Sequence, residues 1–198
     1  MGQLVDYFRH LKKKSVIDQD IINTLTQHAY PISRQNDWSF YEGVHNHSYD
    51  FTCLPWAENY ISHTRLRYAH YDFISARFSG CYMARYEHNG YRYGCHIHTG
   101  AKDKKRTWNS FIANNQITNC VLFRPDSALI MPFHGNDAWG IISHDDNRCY
   151  TVVVNVLQQN INQLICTFLN IKKETTIPMS LPLPIIPLNN AQLFPNLS

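Results

Sequence analysis

The sequence predicts an α+β fold: a mixed, largely antiparallel β-sandwich flanked by helices, with a Pro-rich extended C-terminal tail. Three observations lead there. Aromatic residues make up 13% of the 198 residues, with 12 Tyr and 10 Phe, a composition suited to half-buried pleated surfaces. From Trp38 onward, short runs of Tyr, Phe, Val and Thr are broken by Gly, Asn and Asp, the texture of successive strands and turns. Apolar residues at helical spacing are concentrated near the start of the chain.

The elements follow in order. Residues 1–30 read as helical: Leu4, Val5, Phe8 and Leu11 share one face, Ser15 is a cap, and Val16, Ile17, Ile21, Ile22, Leu25 and Ala29 repeat the pattern until Pro31 stops it. Residues 38–157 are mainly strands, expected at 38–44, 50–54, 69–78, 81–87, 91–99, 118–123, 128–133, 138–143 and 149–157. A short helix is expected at 106–114 and another at 158–169. Five of the nine prolines (178, 182, 184, 187, 195) fall near the end, which favours an extended segment over helix or central strand. The chain is thus expected to form a single catalytic domain over 1–175, with an apolar tail over 176–198 packed along it.

Composition narrows the function. The net charge is +3, too mild for a nucleic-acid partner. The runs Lys12-Lys13-Lys14 and Lys102-Asp103-Lys104-Lys105-Arg106 are short and expected to be solvated. No apolar stretch reaches membrane-spanning length. Gly2 is followed by Asp6, where a myristoylation motif needs Ser or Thr. The six cysteines contain no CxxC pair, and the amphipathic start MGQLVDYFRHLKKK is not expected to be a secretory signal peptide. A reducing environment and free thiols are therefore expected.

The informative stretch runs from Tyr71 to Gly100. Asn89-Gly90 is a strong two-residue hairpin signal, since both central positions of a type I′ turn need positive φ. That turn pairs His88 with Tyr91, Tyr86 with Tyr93 and Ala84 with Cys95. Two further pairs place Cys81 opposite His98, and directly opposed residues share a face about 4.5–5.5 Å apart. His96 lies on the same face, opposite Met83, and is the rival base. Gly80, between Ser79 and Cys81, bends the chain and leaves the N–H groups of Gly80 and Cys81 as oxyanion donors. Ser75 supplies a hydroxyl able to fix an imidazole's orientation and tautomer. Cys95 falls on the opposite face, and Cys53, Cys120, Cys149 and Cys166 have no such surroundings.

Phe78-Ser79-Gly80-Cys81 resembles the Leu-Ser-Gly-Cys signature of toxin-type protein glutamine deamidases. These are the catalytic domains of cytotoxic necrotizing factors, Burkholderia lethal factor and, more distantly, the chemotaxis deamidase CheD. His98-Thr99-Gly100 resembles the catalytic-histidine segment of the necrotizing factors. Ser75 stands where Burkholderia lethal factor and CheD carry a threonine. Leu54-Pro55-Trp56 and His96-Ile97 resemble segments of Burkholderia lethal factor. The likeness covers roughly residues 50–110, about a third of the chain.

What the resemblance implies is cysteine-dependent conversion of a protein glutamine to glutamate, with release of ammonia and no metal or organic cofactor. The expected partner is a target-cell protein, such as a GTPase or a translation or helicase-type factor. The expected setting is a monomeric, secreted bacterial effector, delivered without a classical signal peptide and acting in the target-cell cytoplasm. Loops 103–117, 124–127, 134–137 and 144–148 would choose the substrate. The same thiol chemistry also admits a cysteine protease or a transglutaminase. Two other classes stay open. The pairs His45/His47 and His96/His98 suggest a cupin-like metal protein, although neither is followed by the glutamate such a site needs. Trp38, Trp56, Trp108 and Trp139 suit a non-catalytic interaction domain.

Overall fold

Two six-stranded sheets face each other in the computed structural model, which describes residues 3–27, 29–125, 135–145, 147–160 and 163–184. The first sheet has the order β1 (Pro31–Gln35), β2 (Trp38–Tyr41), β5 (Ile61–Arg65), β8 (Tyr91–Ile97), β7 (Tyr82–His88) and β9 (Thr118–Phe123). The second has the order β12 (Gln163–Glu174), β11 (Cys149–Asn160), β10 (Asn136–Ile142), β6 (Asp72–Ala76), β4 (Phe51–Leu54) and β3 (Val44–Asn46). Pairing is antiparallel except for β2 with β5 and β4 with β6. The helices are α1 (Leu4–His10), α2 (Gln19–Thr26) and α3 (Lys105–Asn114). Among the described residues no helix is long and apolar enough to cross a membrane. The expected α+β sandwich is the observed architecture.

Strand alternation divides the core into three apolar layers. Between the sheets lie Leu54, Phe73, Ala138 and Ile142 from one side, and Phe78, Cys81, Met83 and Phe123 from the other. Outside the second sheet, Leu4, Val5, Phe8, Ile21 and Ile22 of α1 and α2 cover Phe51, Ile74, Trp139, Val152 and Phe168. Outside the first sheet, Trp108 of α3 and Leu183 cover Tyr82, Ala84, Tyr86, Cys95 and Ile97. The hairpin β7–β8 is therefore buried on both faces, with Cys81 and Cys95 in different layers, as strand parity requires.

The tail follows the first sheet as far as it is described. The Ile177 N–H donates to the Leu122 carbonyl at 2.7 Å. Asn109 brackets Leu183, its amide donating to the Leu183 carbonyl and its Oδ1 accepting from the Leu183 N–H. Residues 185–198 and the strand expected at 128–133 lie outside the described residues.

Several expectations need correction. Residues 158–160 and 163–169, expected within a helix over 158–169, lie instead in strands: β11 and β12 pair antiparallel over most of their length. The apolar spacing there mimics a helical face, but strand alternation sets Cys166 and Phe168 against the layer under α1 and α2. Residues 38–44 are not one strand, because β2 and β3 belong to different sheets. Strands β1 and β5 were not expected. Lys104 and Lys105 are buried, not solvated. The Lys104 ammonium bonds the Asp37 carboxylate, and Lys105 pairs with Asp103 at 3.4 Å, so their charges are compensated where they enter the fold.

The two sheets approach closely at glycines. A Cβ on Gly94 would lie 2.5–2.8 Å from three ring atoms of Phe73 across the layer, a ring fully enclosed by its neighbours. Gly94→Ala is expected to cost about 1–3 kcal/mol through overpacking, measured by urea denaturation. In the double variant with Phe73→Leu the two costs should add to less than their sum. Strict additivity would mean that Phe73 does not set the sheet spacing at this point.

Candidate active site

The hairpin turn is built as its sequence dictates. Asn89 and Gly90 have φ of 50° and 75°, and the register pairs His88 with Tyr91, Tyr86 with Tyr93, Ala84 with Cys95 and Met83 with His96. The paired register ends at Tyr82–Ile97; continued by one step, it sets Cys81 against His98 and diagonal to His96. Diagonal neighbours on one face are about 7–8 Å apart, a gap that an aromatic ring spans.

Ser75 makes the decisive contact. It occupies β6, in the facing sheet, and its hydroxyl oxygen lies 2.9 Å from His96 Nδ1 and 2.9 Å from the Leu54 carbonyl. The carbonyl can only accept, so the single hydroxyl proton goes to Leu54. The Ser75 oxygen must then accept from His96, which fixes the proton on Nδ1 and leaves a lone pair on Nε2. His96 Nε2 is buried and has no hydrogen-bond partner. The Phe78 ring stacks on the imidazole at 4.0 Å between centroids and 5° between planes. Burial, with the nearby His98 adding to it, pushes the His96 pKa down to about 3, so the ring is neutral near pH 7.

Ser75 therefore orients His96, and not the directly opposed His98. The sequence reading made Ser75 the orienter and His98 the base; the structure divides that pair. The His98 ring packs beside Trp56, 5.8 Å between centroids, and lies where a side chain on Gly100 would collide with it. Burial lowers its pKa, while Glu58 and the Lys102 backbone act in the opposite direction. Trp56 is 41% exposed.

Cys81 is 5% exposed. Burial raises its pKa, opposed by the Thr99 N–H, the Arg124 guanidinium and the Ser79 N–H. The Thr99 hydroxyl donates to the Gly80 carbonyl at 2.9 Å, which ties the end of β8 to the bend. Gly80 has φ +107°, and among the described residues no backbone acceptor takes the N–H of Gly80 or Cys81. The other thiols are different. Burial pushes Cys53 up to about 12, and Cys120 and Cys166 up to about 11.

Thr99 and Arg124 were not singled out from sequence. Thr99 follows His98 directly and was within reach of the register argument. Arg124 was not, because it arrives through the long-range pairing of β9 with β7. The His45/His47 pair is otherwise engaged. His45 Nδ1 meets the Thr52 hydroxyl at 3.1 Å, and His47 bonds the Tyr71 hydroxyl. Among the described residues no group of three or more His, Cys, Asp or Glu is placed to hold a metal ion. Comparison with protein-family models, curated proteins and solved structures finds no match for this chain.

Burying a neutral imidazole makes stability depend on pH. The folded value for His96 is about 3 against about 6.5 in the unfolded chain, so only the unfolded chain takes up the proton in between. The stabilisation is complete above about pH 6.5 and is lost as pH falls towards the folded value. His63, pushed down to about 4 by burial, acts in the same sense. Asp72 and Asp137, raised by burial, act in the opposite sense within the carboxylate range. Urea titrations are expected to show His96 contributing about 2 kcal/mol of loss between pH 6.5 and 4.5. His96→Gln should flatten that slope; an unchanged slope would contradict the buried neutral state.

Proposed function

We propose that this chain is a protein glutamine deamidase in which Cys81 is the nucleophile, His96 the base and Ser75 the residue that orients the base. The observation that carries this reading is the hydrogen-bond chain from His96 Nδ1 through Ser75 to the Leu54 carbonyl. It leaves an unpartnered lone pair on Nε2, on the hairpin face that also presents Cys81. A buried imidazole nitrogen without a partner is costly to keep, and proton transfer gives it a use. The Phe78-Ser79-Gly80-Cys81 signature supports the choice of amide substrate.

The chemistry follows from these groups. His96 Nε2 takes the Cys81 thiol proton as the sulfur attacks the carboxamide carbon. The N–H groups of Gly80 and Cys81 receive the tetrahedral oxyanion. His96 returns the proton to the departing nitrogen, the C–N bond breaks, and ammonia leaves a thioester on Cys81. Water then gives a proton to His96 and attacks that thioester; the sulfur leaves, recovers its proton, and the side chain departs as glutamate. No step needs a metal or organic cofactor. The substrate in this reading is a protein of a target cell, a GTPase or a translation or helicase-type factor, in which loss of an amide donor disables a working glutamine. The chain acts there as a toxin-type effector, delivered into the cytoplasm.

Peptide mass spectrometry of target-cell proteins exposed to the wild type is expected to find a Gln-to-Glu conversion that Cys81→Ala abolishes. His96→Gln should slow it about 10²–10⁴-fold, and Ser75→Ala should slow it less. His98→Gln should retain most of it. Conversion that survives His96→Gln and fails in His98→Gln would reverse the assignment of the base. Peptide cleavage in place of conversion would identify a protease, and no cysteine-dependent change at all would end the deamidase reading.

A further inference from the structure

Arg124 lies immediately beyond β9, where the antiparallel register with β7 brings it beside the bend that carries Cys81. Its Nη2 stands 3.3 Å from the position a Cβ on Gly80 would take, and Thr99 Oγ1 stands 3.8 Å from the same point. The guanidinium thus stands close against the bend at Gly80. The group sits 6.0 Å over the Tyr82 ring. Its Nε is buried and has no hydrogen-bond partner. Among the described residues it forms no ion pair, unlike Arg9, Arg67, Arg77 and Arg92, each of which has a carboxylate. An arginine stays charged throughout the working pH range, and a cation close to a thiol favours the thiolate.

We propose that Arg124 is the cation that sets the reactivity of Cys81, stabilising its sulfur as thiolate through the Gly80 bend. This deepens the deamidase reading and rests on its choice of nucleophile. Arg124 acts through the sulfur and is a positioning residue for charge, with no contact to substrate required. The other groups facing Cys81 are the Thr99 N–H and the Ser79 N–H, with His96 of β8 and, just beyond that strand, His98 on the side where the hairpin register continues. Arg124 is the permanent charge in this set, so its influence is constant across the range in which the histidines titrate.

The test is the rate at which iodoacetamide alkylates Cys81, an S–C bond forming as iodide leaves. It is followed on the Cys81 peptide by mass spectrometry from about pH 7 to about pH 11, a range reaching above that of a free thiol because burial raises Cys81. In Arg124→Gln the midpoint is expected to rise by at least about one pH unit, slowing alkylation near neutral pH about tenfold for each unit. Arg124→Lys should restore most of the rate. The half-buried Cys120 should react equally in all three proteins. An unchanged midpoint in a folded Arg124→Gln protein would overturn the proposal, and so would Arg124→Lys behaving like Arg124→Gln. Should the glutamine variant fail to fold, sulfate titrated into the wild type must slow Cys81 by occupying the guanidinium; a rate indifferent to sulfate would count against the proposal. The readout is thiol chemistry, so absence of deamidation leaves it standing. Conversely, an Arg124 without effect leaves Cys81- and His96-dependent deamidation intact.

Discussion

The hydrogen bond between Ser75 and His96 is the constraint around which the inter-sheet layer is arranged. It crosses from β6 to β8 through a layer otherwise made of Leu54, Phe73, Phe78, Met83, Phe123 and Ile142. A polar pair in such surroundings is tolerable only where its hydrogen bonds are made. Ser75 meets that condition by giving its proton to the Leu54 carbonyl, on the strand parallel to its own. The imidazole meets it on one nitrogen only. Phe78 closes over the ring face, so the ring cannot turn to satisfy Nε2 without breaking the Nδ1 bond. Sheet spacing, tautomer and ring orientation are fixed together, and each depends on close contact of the sheets at glycines such as Gly94 and Gly140.

Much of this was legible because it is local. Asn89-Gly90 determines a turn, the turn determines a register, and the register determines which residues oppose Cys81. Parity alone separated Cys95 from Cys81. What stayed hidden depends on pairings distant in sequence. The register within one hairpin cannot say which of two histidines meets a serine on another sheet, and here it pointed to His98 while Ser75 chose His96. Arg124 reached the bend through β9, which pairs with β7 across more than thirty residues. Lys104 and Lys105 read as a solvated run because their compensating carboxylates, above all Asp37, come from elsewhere in the fold. The helix expected at 158–169 was a periodicity error of another kind. Its apolar residues satisfy a helical spacing, yet a twelve-residue hairpin partner decided the conformation.

The electrostatics of the candidate site define its resting state. Burial raises the Cys81 thiol and lowers His96, so thiol and imidazole are both neutral together. A buried thiolate–imidazolium pair would need its separated charges solvated by the protein, and this apolar layer has few groups for that. Charge must then be created during the attack itself. In the proposed chemistry the important groups are then the N–H groups at Gly80 and Cys81, which among the described residues have no backbone acceptor, and the guanidinium of Arg124. Such preorganised donors act most strongly where water is excluded. In that chemistry the same burial protects the thiol at rest, since the reactive thiolate is scarce until a substrate carbonyl arrives to share its charge. In the proposed chemistry, selectivity for an amide over bystander electrophiles therefore comes from the hidden state of the nucleophile as much as from any contact with the substrate.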